Sequence, residues 1–185
     1  MADPWTPEWK GIETPGWEIP MPEGVRIEPF AETDAVGPDE VLTLWRREGV
    51  VPEPEAQRRV HEVLMVGLDD SDAVAGVCTV YLQRNPQLRM DLWYARVFVG
   101  REHRAGKLSF LLTVAAREWL ERRFTSGQDT RGGGMLFEVE NQVLKTWYPE
   151  AFWPPTEFTF IGENERGDHV RVHYFPGAVA PALPA

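Results

Sequence analysis

The feature that most constrains this 185-residue chain is a strand that leads almost directly into a helix near its middle. Met90 to Val99 (MDLWYARVFV) is rich in aromatic and β-branched residues, the composition of a strand. After the polar stretch REHRAGK, Leu108, Leu111, Leu112, Ala115 and Trp119 recur at helical spacing. Arg117, Glu118, Glu121 and Arg122 take the other face, so the spacing predicts an amphipathic helix to about Phe124. A strand and helix joined in this way need a sheet to pack in, and the rest of the chain must supply it.

The flanking segments do so. VRIEPF from Val25 reads as a strand, and PDEVLTLWRREG as a helix with Pro38 at its first position, acids in its first turn and Gly49 as its stop. A second short helix covers PEAQRRVHE from Pro54. VLMVGL and AVAGVCTVYLQ surround the turn signal Asp69 to Asp72 and predict a β-hairpin. Past the Gly132 to Gly134 loop, MLFEV reads as a strand, NQVLKTWY as a short helix, and EFTFI with VRVHYF as a closing hairpin around GENERG. The order is β-α-α-β-β-β-α-β-α-β-β, an α/β (α+β) fold with a mixed sheet and helices on its faces.

Three regions follow. Residues 1–24 hold five prolines with Trp5, Trp9 and Trp17, which predicts an extended arm lying across the domain or across a second protomer in a homodimer. Residues 25–176 form a single domain, and 177–185 a flexible C-terminal tail.

Composition excludes several classes. The net charge of −10 argues against an extended nucleic-acid interface and leaves cationic or amine substrates open. No apolar run spans a bilayer and no signal-peptide pattern opens the chain, so neither membrane nor export is expected, and the protein reads as cytoplasmic. The single cysteine, Cys78, lies in an apolar run and reads as a core residue. No His, Cys or acid cluster has metal-ligand spacing, and no Gly-x-Ser-x-Gly elbow is present. His173 reads as a hydrogen-bonded structural histidine.

A helix start such as HRAGKL, His103 to Leu108, either holds a phosphate on its unpaired amides or merely begins a helix. The element order, this loop and one further motif together resemble the GCN5-related N-acetyltransferase (GNAT) superfamily over about Val25 to Phe175. In that family the fourth strand is followed by Arg/Gln-x-x-Gly-x-Gly/Ala and a long helix. Here Gly106 fits, while His103 replaces the Arg or Gln and Leu108 the small residue, which narrows the space for a pyrophosphate. The second motif, Asn-x-x-Ala-x-x-Leu/Phe-Tyr, is matched in spacing by Asn141, Leu144, Trp147 and Tyr148, with only Glu140 separating it from Val139.

The resemblance implies an acyl-CoA-dependent N-acyltransferase, with acetyl-CoA or another acyl-CoA as donor and a small-molecule or peptide amine as acceptor. It implies donor-binding residues Phe98, Val99, His103, Arg104, Ala105, Gly106, Lys107, Leu108, Ser109 and Asn141. Main-chain N–H groups at Phe98 and Val99 would polarise the acyl carbonyl. Tyr148 would protonate the leaving thiolate. For the general base the sequence leaves Glu138 and Glu140 open, since strand alternation puts both on one side. Asp91, Tyr94 and Arg96 are further residues able to face the cleft. Two other readings stay in view: a catalytically degenerate GNAT-like binding or assembly module, and acyl transfer to a non-amine acceptor. An enzyme requires an open basic cleft at Arg104 and Lys107, whereas a module would fill it with Leu108 or the arm's tryptophans.

Overall fold

A computed structural model describes residues 9–182. The elements in chain order are β1 (Gly11–Thr14), β2 (Trp17–Pro20), β3 (Arg26–Pro29), α1 (Pro38–Glu48) and α2 (Glu53–Arg59). They continue with β4 (Val63–Leu68), β5 (Val74–Asn85), β6 (Met90–Val99), α3 (Leu108–Thr125) and β7 (Gly134–Val139). The last are α4 (Gln142–Trp147), β8 (Phe152–Trp153), β9 (Phe158–Glu163) and β10 (His169–Tyr174). From β3 onward this is the order expected from the sequence with one addition, the two-residue β8. The main sheet has the strand order β3-β4-β5-β6-β7-β10-β9-β8. β6 and β7 run parallel, and β3–β4, β4–β5, β7–β10, β10–β9 and β9–β8 antiparallel.

The chain divides into two compact units: the segment up to Val80 with Val97–Ala116, and Tyr81–Arg96 with the segment from Arg117. β5, β6 and α3 each contribute residues to both.

In the first unit, α1 begins at Pro38, and Glu40 accepts a hydrogen bond from Gly37 N at 2.8 Å, which closes its first turn. Its buried stripe, Val41, Leu42, Leu44 and Trp45, packs with Val66, Leu68, Val74 and Val77 of the β4–β5 hairpin. Asp69 holds that hairpin's turn, accepting from Ser71 N at 2.8 Å and Ala73 N at 3.0 Å. Cys78 is fully buried, and desolvation pushes its thiol well above the ordinary range.

The arm departs from the sequence reading. Instead of a single extended strap, β1 and β2 fold back on each other, with Ile12 opposite Ile19 and Thr14 opposite Trp17. The two residues between are Pro15 and Gly16, and Gly16 has φ +82°, the Pro then positive-φ Gly signature of a type II turn. Trp9, Ile12 and Ile19 are buried within the one chain, and Trp17 meets Phe110 of α3 edge-on at 6.5 Å. Trp5 lies outside the described residues.

α3 is buried more widely than a two-faced helix. The sequence predicts an amphipathic helix, yet Leu108 and Phe110 to Ala116 are all buried, and its exposed face begins only past Arg117. Full burial of a leucine contributes about 1.5–3 kcal/mol, so this half of α3 anchors the first unit.

In the second unit, β7 lies between β6 and β10, and Leu92, Tyr94, Leu136 and Val172 form a small core. His173 is hydrogen-bonded as expected, with its Nε2 2.7 Å from Glu121 and its Nδ1 3.1 Å from the Glu157 carbonyl. The contact with His173 holds the Glu121 carboxyl below its ordinary range. The tail runs without regular structure to residue 182, and its last three residues lie outside the described ones. No helix among the described residues is long and apolar enough to cross a membrane.

Candidate functional site

The strand-to-helix junction in the first unit is tighter than the sequence suggests. Arg101–Gly106 form a 3-10 turn, and Lys107 then takes the left-handed conformation, φ +55°, before α3 starts at Leu108. Left-handed backbone costs a side-chain-bearing residue about 1–2 kcal/mol. Lys107→Gly is therefore expected to raise stability by about 0.5–1 kcal/mol after the extra unfolded-state entropy of glycine is counted. Chemical denaturation checks this, and an unchanged midpoint refutes it.

The side chains of the loop do not line an open basic cleft. Arg104 turns back on the strand end, donating from Nε to the Val99 carbonyl at 3.1 Å, with Glu48 3.8 Å from Nη2 and the Phe98 ring 5.7 Å away. Lys107 and Ala105 are exposed. Ser109 lies in the first turn of α3, and its carbonyl accepts from Thr113 Oγ1 at 2.7 Å. Leu108, expected to narrow the loop, points into the core instead and is fully buried against Gly67. The hollow beside the loop, about 380 Å³, is lined by Pro22, Glu23, Asp69, Asp70, Glu102 and His103 among others. Four carboxylates border it, so this hollow is not the open basic cleft that an enzyme requires at Arg104 and Lys107. Hydrogen bonds, first from Ser71, hold the Asp69 carboxyl below its ordinary range.

The end of β6 separates Phe98 from Val99. Gly100 N donates to the Ala75 carbonyl of β5 at 2.8 Å. Strand alternation then directs Phe98 N–H toward β5 as well, and Val99 N–H away from it. The Val99 carbonyl agrees with this direction, since Arg104 takes it. Of the two residues expected to polarise an acyl carbonyl, only Val99 presents its amide away from the β5 ladder.

In the second unit, β6 and β7 pair through Trp93–Met135, Tyr94–Leu136 and Ala95–Phe137, and the register goes no further. Glu138 and Glu140 do share a side: both reach Nη2 of Arg166, at 3.2 and 3.3 Å. Arg166 also donates to Asp168 at 2.8 Å, and this hydrogen bond first of all raises its guanidinium's pKa. Sequence reasoning missed Arg166, because it sits in the GENERG turn and only the pairing of β9 with β10 brings it to β7.

Asn141 is the N-cap of α4, its side-chain oxygen accepting from Val143 N at 2.9 Å and Leu144 N at 3.4 Å. Tyr148 closes that helix, its N–H donating to the Leu144 carbonyl at 3.0 Å. Its ring meets Trp153 edge-on at 6.4 Å, and the Trp153 indole N–H donates to the Tyr148 carbonyl at 2.9 Å. Asp91 pairs with Arg84 at 3.1 Å, Tyr94 accepts from Asn85 at 3.0 Å in a buried setting, and Arg96 lies 4.1 Å from the Tyr81 ring centroid. Burial pushes the Tyr94 phenol above its ordinary range.

No family model and no curated protein matches the chain. Solved structures do. A GCN5-related N-acetyltransferase from Kribbella flavida superposes with a TM-score of 0.55 at 16% identity, over 84% of this chain and 100% of that one. A GNAT-family acetyltransferase from Streptococcus pneumoniae gives 0.53 at 14%, over 82% and 99%. Arabidopsis thaliana NAA60 in complex with acetyl-CoA gives 0.54 at 12%, over 82% and 99%. The parallel β6–β7 pair in a mostly antiparallel sheet and these superpositions agree: the chain has the fold of the GCN5-related N-acetyltransferases.

Proposed function

We propose that this chain is an acyl-CoA-dependent N-acyltransferase that moves an acyl group, acetyl in the first instance, from coenzyme A to an amine by direct transfer. The observation that carries this reading is the end of β6, where Gly100 N donates to the Ala75 carbonyl of β5 and alternation therefore turns Val99 N–H away from β5. An amide fixed in that way supplies a donor for the oxyanion of a thioester under attack. The amides at the start of α3, around Gly106 to Ser109, would take the pyrophosphate. Tyr148 serves as the acid for the departing thiolate. Either Glu138 or Glu140 takes the amine's proton directly or through water, and Glu140 is the more exposed of the two, its side chain 73% accessible against 35%. The net charge of −10 favours a cationic amine as acceptor.

The test is calorimetric titration with acetyl-CoA, followed by thiol release with a panel of primary amines and basic peptides. Micromolar binding with amine-dependent release is the expected result. No binding by the folded protein ends the acyltransferase reading. One observation favours a second reading, a degenerate GNAT-like module: Arg104 is engaged by Val99 and Glu48, and Pro22 sits on Gly106. A module predicts no thiol release with any amine.

A further inference from the structure

The segment that follows β2 rests on the loop assigned to the donor. A Cβ built on Gly106 would stand 2.8 Å from Pro22 Cγ and 3.3 Å from Pro22 Cβ. The space a glycine leaves open is what allows an anion to approach the backbone closely, and here a proline ring fills it. The contact is held from both ends. Upstream, Met21 N donates to the Lys10 carbonyl at 2.8 Å, Ile12 and Ile19 are buried, and Trp17 leans on Phe110 in the first turn of α3. Downstream, Val25 N donates to the Pro22 carbonyl at 3.1 Å, and β3 then joins β4.

Charge reinforces the closure. Glu23, Asp69, Asp70 and Glu102 border the same hollow, so the closed arrangement surrounds the loop with carboxylates that repel a pyrophosphate. Glu23 belongs to the strap and leaves with it. The strap's backbone pairing is slight, because β1 and β2 pair over only four residues each in a separate two-stranded sheet, and lifting it must offset the burial of Ile19.

We propose that residues Trp17 to Gly24 are an autoinhibitory strap over the loop, and that the acyl donor enters only when this strap lifts. The inference rests on the acyl-CoA reading and adds its regulation. Affinity for the donor is then reduced by the fraction of molecules that are open.

A reversible lock tests it. The 3.3 Å between Pro22 Cβ and a Cβ at Gly106 is close to the roughly 3.5–4.5 Å of a disulfide, so Pro22→Cys with Gly106→Cys can cross-link the strap to the loop. Cys78 is fully buried and does not compete. The full-length double variant is titrated with acetyl-CoA oxidised and reduced, beside wild type and Trp17→Ala, which loosens the strap's seat on Phe110. Oxidation is expected to weaken binding at least about tenfold with recovery on reduction, and Trp17→Ala to tighten it by a similar factor. Equal binding by the oxidised and reduced forms overturns the strap and leaves the acyl-CoA reading standing. If the reduced form fails to bind because of the new side chain at Gly106, Trp17→Ala decides: tighter binding supports the strap, unchanged binding overturns it. Absence of binding in wild type and Trp17→Ala alike removes the acyl-CoA reading, and the strap with it.

Discussion

Arg171→Ala is expected to lower the unfolding free energy by about 3–5 kcal/mol, enough to take much of the stability of a domain this size. Arg171 is fully buried in β10, its guanidinium 3.8 Å from the Trp153 ring centroid. Nη2 donates to the Glu150 carbonyl at 2.8 Å, and Nη1 reaches the Ala151 carbonyl at 3.5 Å. Truncation leaves a large cavity and two backbone carbonyls without their donor, and each loss alone costs kilocalories. Desolvation lowers the guanidinium's pKa to about 10, so the fold holds a charge it disfavours. Arg171→Met, which keeps the apolar stem and removes that charge, is therefore expected to lose less than alanine does. Denaturant midpoints of the two variants decide it, and an alanine loss below about 1 kcal/mol would mean that the side chain does not hold Glu150 and Ala151 in place.

Much of this fold is legible in the sequence because its elements are locally consistent. Met90–Val99 is a strand to the residue, α1 begins at Pro38 and ends before Gly49, and the Asp69–Asp72 turn is where its acids predict it. Local rules also mislead where two of them compete. Five prolines in residues 1–24 argue against a helix or a central strand, and Pro15–Gly16 flanked by alternating IET and WEI adds a hairpin signal that the structure follows in a separate two-stranded sheet. The two-residue β8 is too short to carry any period.

The site is less legible because its determinants are pairings distant in sequence. Glu138 and Glu140 are correctly placed on one side by alternation, but Arg166 comes from the next hairpin and Glu48, which draws in Arg104, from the end of α1. Asn141 shows the reverse case: its local N-cap chemistry accounts for the residue type at that spacing without any ligand. Leu108 looks like an obstruction when read along the loop, and three-dimensional packing turns it into core.

Tyr148→Phe is the substitution that separates catalysis from scaffold. The ring contact with Trp153 at 6.4 Å and the indole's hydrogen bond to the Tyr148 carbonyl both persist in phenylalanine. Only the hydroxyl is lost. If that hydroxyl protonates the leaving thiolate, kcat with the best amine falls by about 10²–10³ while the KM for acetyl-CoA changes little, the signature of an interaction made in the transition state. Glu138→Gln and Glu140→Gln, assayed in parallel, identify the base: the variant that removes it loses the acidic limb of the pH–rate profile, whereas the other moves only the pairing with Arg166. Undiminished turnover in Tyr148→Phe would assign the tyrosine to closing α4 over Trp153, and the thiolate would then have to leave without an acid from α4.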